Sequence, residues 1–282
     1  MPEGDAHPNS MIATESIVSS HQPPRPVSKR DEADRLLQGL FSSANTSTNL
    51  FTHQHPVVVQ GSEYSIPRVM LLGQRGGERP IRIAIFGGLD AGALESVAAE
   101  ARLLTEIEAQ PGLARDFALF GYPIVNALGF GPGATPLHAF EARFASERLD
   151  ADVEFFKAEL RNWVFDGLIS LRTDAEATGF YASVRSDVIA REVVHPALAQ
   201  LALTYPVREH PVRLRRSDRY ARLSDYTQGR LAPPADVRPY PFEIELFAPA
   251  KAAPEVRIAG FVATLHLLLR HYRECMAHAP NL

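Results

Sequence analysis

Ile81-Arg-Ile-Ala-Ile-Phe-Gly-Gly-Leu-Asp-Ala-Gly-Ala-Leu-Glu95 is the stretch on which the reading of this chain turns. Its first six residues are apolar at every position but one, and the run is rich in isoleucine. That composition fits a short strand buried on both faces. Gly87-Gly88 stops the strand. From Leu94 onward, Leu94, Val97, Ala98, Ala101, Leu104 and Ile107 recur at helical spacing until Pro111-Gly112 ends the segment. A buried strand passing through a Gly-Gly turn into an amphipathic helix is the opening of a βα unit.

The same alternation continues downstream. Phe117 to Val125, Phe165 to Leu171 and Phe242 to Phe247 read as strands, and Asp150 to Trp163, Asp187 to Tyr205 and about Pro254 to Met276 as helices. Upstream, Glu32 to Phe41 has the pattern of a short amphipathic helix. Ser42 to Asn49 reads as a loop, and Tyr64 to Gly73 as a strand closed by the turn-rich Gln74 to Pro80. Strands that are mostly continuous apolar runs, alternating with helices, predict a three-layer α/β/α domain around a mixed, mostly parallel sheet. In such sheets ligands sit beyond the C-terminal ends of the strands. The loops after Phe86, Val125, Leu171 and Phe247 are therefore where function is to be sought.

Bulk properties narrow the field. With 282 residues, 45% of them hydrophobic, the chain suits one sizeable domain, read as residues 32–282. Residues 1–31 hold no apolar run and are rich in Pro, Ser, His and charge, so they read as a disordered tail and not a signal peptide. A net charge of -4 gives no general pull toward nucleic acid or anionic lipid, and no segment is apolar enough to span a membrane. Arg208, Arg213, Arg215, Arg216, Arg219 and Arg222 form a basic run, read as a solvated loop. The single cysteine, Cys275, cannot form an internal disulfide, which fits a reducing cytoplasm.

Three of the strand ends carry a resemblance. The Ile81–Glu95 stretch, Tyr122-Pro-Ile-Val-Asn-Ala-Leu-Gly129 and Phe165-Asp-Gly-Leu-Ile-Ser-Leu-Arg172 stand in the order of three motifs of the zinc carboxypeptidase superfamily. The second is similar to its Pro-x-x-Asn-Pro-x-Gly turn and the third to its Asp-Gly-x-x-x-Leu-His strand. The likeness covers roughly Tyr64 to Met276 and lies closest to the succinylglutamate desuccinylase/aspartoacylase-like and bacterial carboxypeptidase-like branches. It implies a hydrolase fold with one zinc held by two His and one Glu, a water completing the site.

The residues this resemblance requires are missing. The first His position falls on Asp90, the Glu position on Ala93 and the second His position on Arg172. Alanine has no donor atom, and arginine is a permanent cation that cannot ligate metal. The family's Asp-x-Asn-Arg-x-Phe carboxylate clamp falls on Asp150-Ala-Asp-Val-Glu-Phe155, so its Asn and Arg become Asp152 and Val153. The catalytic Glu position near the end of the late strand falls on Phe247, which cannot activate water. Arg143 aligns with a further family Arg.

The expectation is an inactive relative with no zinc and no catalytic residue, whose cleft binds a small anionic molecule or a peptide. Asp90, Arg143, Asp152 and Arg172 are its candidate binding residues. An Asp90–Arg172 ion pair is expected to balance charge in place of the metal. Two alternatives stand beside it: a zinc hydrolase rearranged around Asp90, Glu95 and Asp174, and a plain interaction module. Glu95 and Asp174 read more simply as an early-helix acid and a loop cap. His53 and His55 read as a surface loop, and His195, His266 and His271 as packed or solvated helix residues. Gly129-Phe-Gly-Pro-Gly133 lacks the ending of a phosphate loop, and no Gly-x-Ser-x-Gly elbow is present.

Overall fold

The structure is a computed structural model that describes residues 28–74, 80–131, 134, 140–144, 150–163, 165–184, 186–214 and 242–278. Most of the expected tail, residues 75–79 of the expected turn, and Arg215, Arg216, Arg219 and Arg222 lie outside them. In chain order the elements are α1 (Lys29–Ala44), β1 (Leu50–Val59), β2 (Ser62–Leu72), β3 (Ile81–Phe86), α2 (Leu94–Ala109), β4 (Phe117–Tyr122), α3 (Phe140–Phe144), α4 (Ala151–Asn162) and β5 (Gly167–Asp174). After these come β6 (Phe180–Val184), α5 (Asp187–Ile189), α6 (His195–Leu201), β7 (Val207–Leu214), β8 (Phe242–Pro249) and α7 (Pro254–His278).

The eight strands form one sheet in the order β1-β2-β4-β3-β5-β8-β6-β7. Pairs β3–β4, β3–β5, β5–β8 and β6–β7 are parallel, and the other three are antiparallel. Alternation along β3 shows how the layers close. Ile83 and Ile85 enter the core under α1, α2, α7 and residues 189–201, while Ala84 and Phe86 enter the core under α3 and α4. In the second core Phe86 stacks on Tyr122 with ring centroids 5.3 Å apart, and Phe156 meets both edge-on. Each such fully buried aromatic is worth roughly 1.5–3 kcal/mol over an exposed one.

Several elements depart from expectation. The first helix starts at Lys29, three residues before Glu32, because Ser28 and Asp31 form a reciprocal capping box. The expected helix Asp187–Tyr205 ends at Leu201 and is interrupted by a π turn, Ala190–Val194. Pro196 has no N–H to return to Glu192, and His195 N–H instead reaches Ala190 C=O five residues back. β1, β6 and β7 were not legible as strands. β1 pairs with β2 through a Gln60-Gly61 turn whose φ angles are 51° and 78°, the geometry of a tight hairpin that favours glycine. It is an edge strand, which explains how it accommodates Pro56. His53 and His55 therefore lie on a strand and not in a loop, and His55 stacks on Phe155 at 4.4 Å.

Candidate functional site

Glycine shapes the loop after β3. Gly88 has φ +57°, and a Cβ on it would lie 2.7 Å from the Pro123 carbonyl oxygen. The loops after β3 and β4 can therefore pack against each other only with glycine there. Hydrogen bonds then fix them together. Val125 and Asn126 donate their N–H groups to the carbonyls of Gly87 and Gly88, and the Asn126 side chain donates to Leu89 C=O at 3.2 Å. Ser96 Oγ accepts from Gly88 N–H and donates to Ala93 C=O, tying the loop to the start of α2.

This scaffold holds Asp90 toward the end of β5. Arg172 Nη2 lies 2.7 Å and its Nε 2.9 Å from Asp90 Oδ1, while Thr173 N–H donates to Oδ2 at 3.0 Å. The two side chains are 24% and 21% exposed, so the pair sits mostly out of solvent. Phe247 is in register with Arg172 across β5–β8 and with Tyr181 across β8–β6. Its ring stacks on Tyr181 at 4.6 Å and 5°. Asp90 and Arg172 thus meet at the strand ends, with Phe247 in register beside Arg172 on the neighbouring strand. Ala93, the residue before α2, is buried and offers only a methyl group.

A zinc ion does not fit these groups. Asp90 spends both oxygens on Arg172 and Thr173, Ala93 supplies no donor, and a guanidinium stands within hydrogen-bonding distance of the one acid present. Glu95 pairs with Arg257 at 2.6 Å, and Asp174 accepts from Tyr181 Oη and Glu176 N–H. Among the described residues no group of three or more His, Cys, Asp or Glu side chains could hold a metal ion, so the rearranged site of Asp90, Glu95 and Asp174 is not formed.

Arg143 and Asp152 are also brought together, but by each other. Arg143 Nη2 donates to Asp152 Oδ1, Nε to Asp150 at 2.8 Å and Nη1 to Asn126 Oδ1 at 3.1 Å. Asp152 is wholly buried. Burial raises its carboxyl above the usual range, opposed chiefly by the charge and hydrogen bond of Arg143. Val153 is buried in the core under α4. The segment that resembles a carboxylate clamp is therefore internal structure, tied through Asn126 to the loop that carries Asp90.

No family model matches this sequence, and no curated protein matches it. Solved structures do. Bovine thrombin-activatable fibrinolysis inhibitor, in complex with tick carboxypeptidase inhibitor, superposes with a TM-score of 0.60 at 11% identity, covering 86% of this chain and 97% of that one. The metallo-carboxypeptidase of Burkholderia cenocepacia gives 0.59 at 12% identity over 88% of this chain and 70% of its own. That of Pseudomonas aeruginosa gives 0.53 at 14% over 87% and 70%. The chain has a metallo-carboxypeptidase-like fold. At these identities the likeness is one of fold alone.

The remaining sequence candidates sit elsewhere. His266 pairs with Glu106 and His271 with Glu274 on α7, and His195 is exposed. No helix among the described residues is long and apolar enough to cross a membrane. A groove of about 690 Å3 lies between α1, the β1–β2 hairpin and Phe130-Gly131, and neither Asp90 nor Arg172 lines it. Sequence reasoning missed Tyr181, whose hydroxyl is pushed up to about 12 by burial and by its bond to Asp174. It also misplaced Arg208 and Arg213, which lie on β7 with guanidinium carbons 5.4 and 4.6 Å from the Tyr181 ring centroid. Only the recognition of Phe180–Val184 as a strand would have brought them together.

Proposed function

We propose that this chain is a catalytically inactive zinc carboxypeptidase-like protein, of the desuccinylase/aspartoacylase-like and bacterial carboxypeptidase-like side of that superfamily. In this reading Asp90, Ala93 and Arg172 occupy the ancestral ligand positions, and Phe247 that of the catalytic Glu. The strand-end surface then serves to bind a small anionic molecule or a peptide. The observation that carries it is the Asp90–Arg172 ion pair, which puts a fixed positive charge beside the acid where a metal would otherwise balance it. The stacked Phe247–Tyr181 pair beside it supports the same reading, since neither ring can accept a proton from water at neutral pH. The chain is taken as a single domain from α1 onward, and as cytoplasmic on the strength of its lone cysteine.

Purified protein incubated with N-acyl amino acids and with peptides bearing free C-termini, with and without added zinc, tests this. The expected result is no hydrolysis in either condition. Turnover that a chelator abolishes and zinc restores would overturn the reading. Thermal-shift screening with the same compounds separates a binder from an interaction module, because a ligand of the native state raises the melting temperature.

A further inference from the structure

The β6–β7 pairing is irregular at one place. Phe180 is in register with Val207 and Ala182 with Val212, so the single residue Tyr181 faces Arg208, Glu209, His210 and Pro211. A bulge of this size forfeits ladder hydrogen bonds, and bulges gather where a sheet must re-aim its side chains. Here the bulge brings two guanidiniums to one ring, at 4.6 Å for Arg213 and 5.4 Å for Arg208. Phe247 approaches the same ring from β8, the other neighbouring strand.

Two positive charges drawn to one ring repel unless something negative lies near them. The nearest acid does not fill that role. Asp174 gives one oxygen to Glu176 N–H and the other to Tyr181 Oη. Burial would raise its carboxyl, but those two hydrogen bonds and then the fields of Arg213 and Arg208 hold it below the usual range. The guanidiniums feel Asp174 without hydrogen-bonding it, and among the described residues neither has another acidic partner. Each keeps a planar fork of donors, the geometry that matches carboxylate and phosphate oxygens. Arg213 is exposed and Arg208 half-buried, so the forks are open to a ligand.

We infer that Arg208 and Arg213, set against Tyr181 by the bulge in β7, form a binding site for the carboxylate or phosphate group of a small molecule. The site is distinct from Arg172, whose guanidinium is engaged by Asp90, and does not depend on whether the fold once held a metal.

Titration calorimetry and thermal shift with inorganic phosphate and with succinate, at ionic strength matched by sodium chloride, test it. Saturable binding of at least one is expected, and the tighter probe assigns the anion class. Arg208→Ala and Arg213→Ala should each weaken binding about tenfold, the loss of roughly one charge-assisted contact. Arg208→Lys and Arg213→Lys, which keep the charge and the packing stem, should fall between. Arg172→Met should leave affinity within about twofold, on the same scale. Absence of saturable binding of both probes, or equal binding by the wild type and the Arg208→Ala/Arg213→Ala protein, overturns the inference. Loss of binding in Arg172→Met alone also overturns it, and moves the anion to the position proposed under the inactive-hydrolase reading.

Discussion

Replacing Arg172 by methionine leaves the Asp90 carboxylate with Thr173 N–H as its single described partner. The loss is two charge-assisted hydrogen bonds to one oxygen, from Nε at 2.9 Å and Nη2 at 2.7 Å. Breaking a fully buried pair costs about 3–5 kcal/mol, and an exposed pair about 0–1 kcal/mol. With its members 21% and 24% exposed, this pair lies nearer the buried limit but is screened by some solvent. An intermediate cost of about 2–3 kcal/mol follows. At roughly 2–4 °C per kcal/mol for a domain of this size, the melting temperature should fall by about 5–10 °C. The attribution is settled by a double-mutant cycle. Asp90→Asn keeps an acceptor for Thr173 N–H while removing the charge, so combining it with Arg172→Met isolates the ion pair. Urea unfolding of the four proteins should give a coupling energy of about 2 kcal/mol. A coupling within about 0.5 kcal/mol of zero would refute the view that this pair stabilises the strand ends.

Two further outcomes rest on the same structure. Arg143→Met should cost more than Arg172→Met, about 3–5 kcal/mol in urea unfolding, because it strands the wholly buried Asp152; equal or smaller loss would count against the internal network. Glu100, wholly buried on α2, has its carboxyl against Gly87 and Gly121, and burial raises its pKa well above the ordinary 4.5. The backbone amides of Gly87 and Tyr122 lie near, but neither completes a hydrogen bond to it. Above pH 4.5 the unfolded chain loses this proton while the folded chain keeps it, so its contribution to stability falls as pH rises toward the folded value. Glu100→Gln should therefore lose less stability than wild type as pH rises above about 5, by up to about 1.4 kcal/mol per pH unit. Identical pH profiles in urea melts would contradict it.

Much of the readable fold was buried on both faces, although β6, buried at every position, was not legible. Ile81–Phe86 and Phe117–Tyr122 are nearly continuous apolar runs because helices cover them above and below, whereas Phe242–Phe247 alternates with Glu243 and Glu245 and sends its apolar side into the core under α7. β1 and β7 are edge strands with charged, His and Pro residues on open sides, so composition hid them. The site divided the same way. Asp90 and Arg172 lie within two short motifs taken in order along the chain, and could be paired by counting. Arg143 and Asp152 could be placed in the sequence, but their mutual burial depends on how the α3 and α4 segments fold back over Asn126. Tyr181 joins Phe247 and Arg213 only through sheet order, a long-range property that no local pattern carries.

The most direct test of the central claim is the zinc content of the purified protein after growth and dialysis with excess zinc, read by plasma mass spectrometry alongside the melting temperature. Far less than one zinc per chain is expected, with a melting temperature that zinc does not move. One zinc per chain, raising the melting temperature and lost in Asp90→Ala, would contradict it.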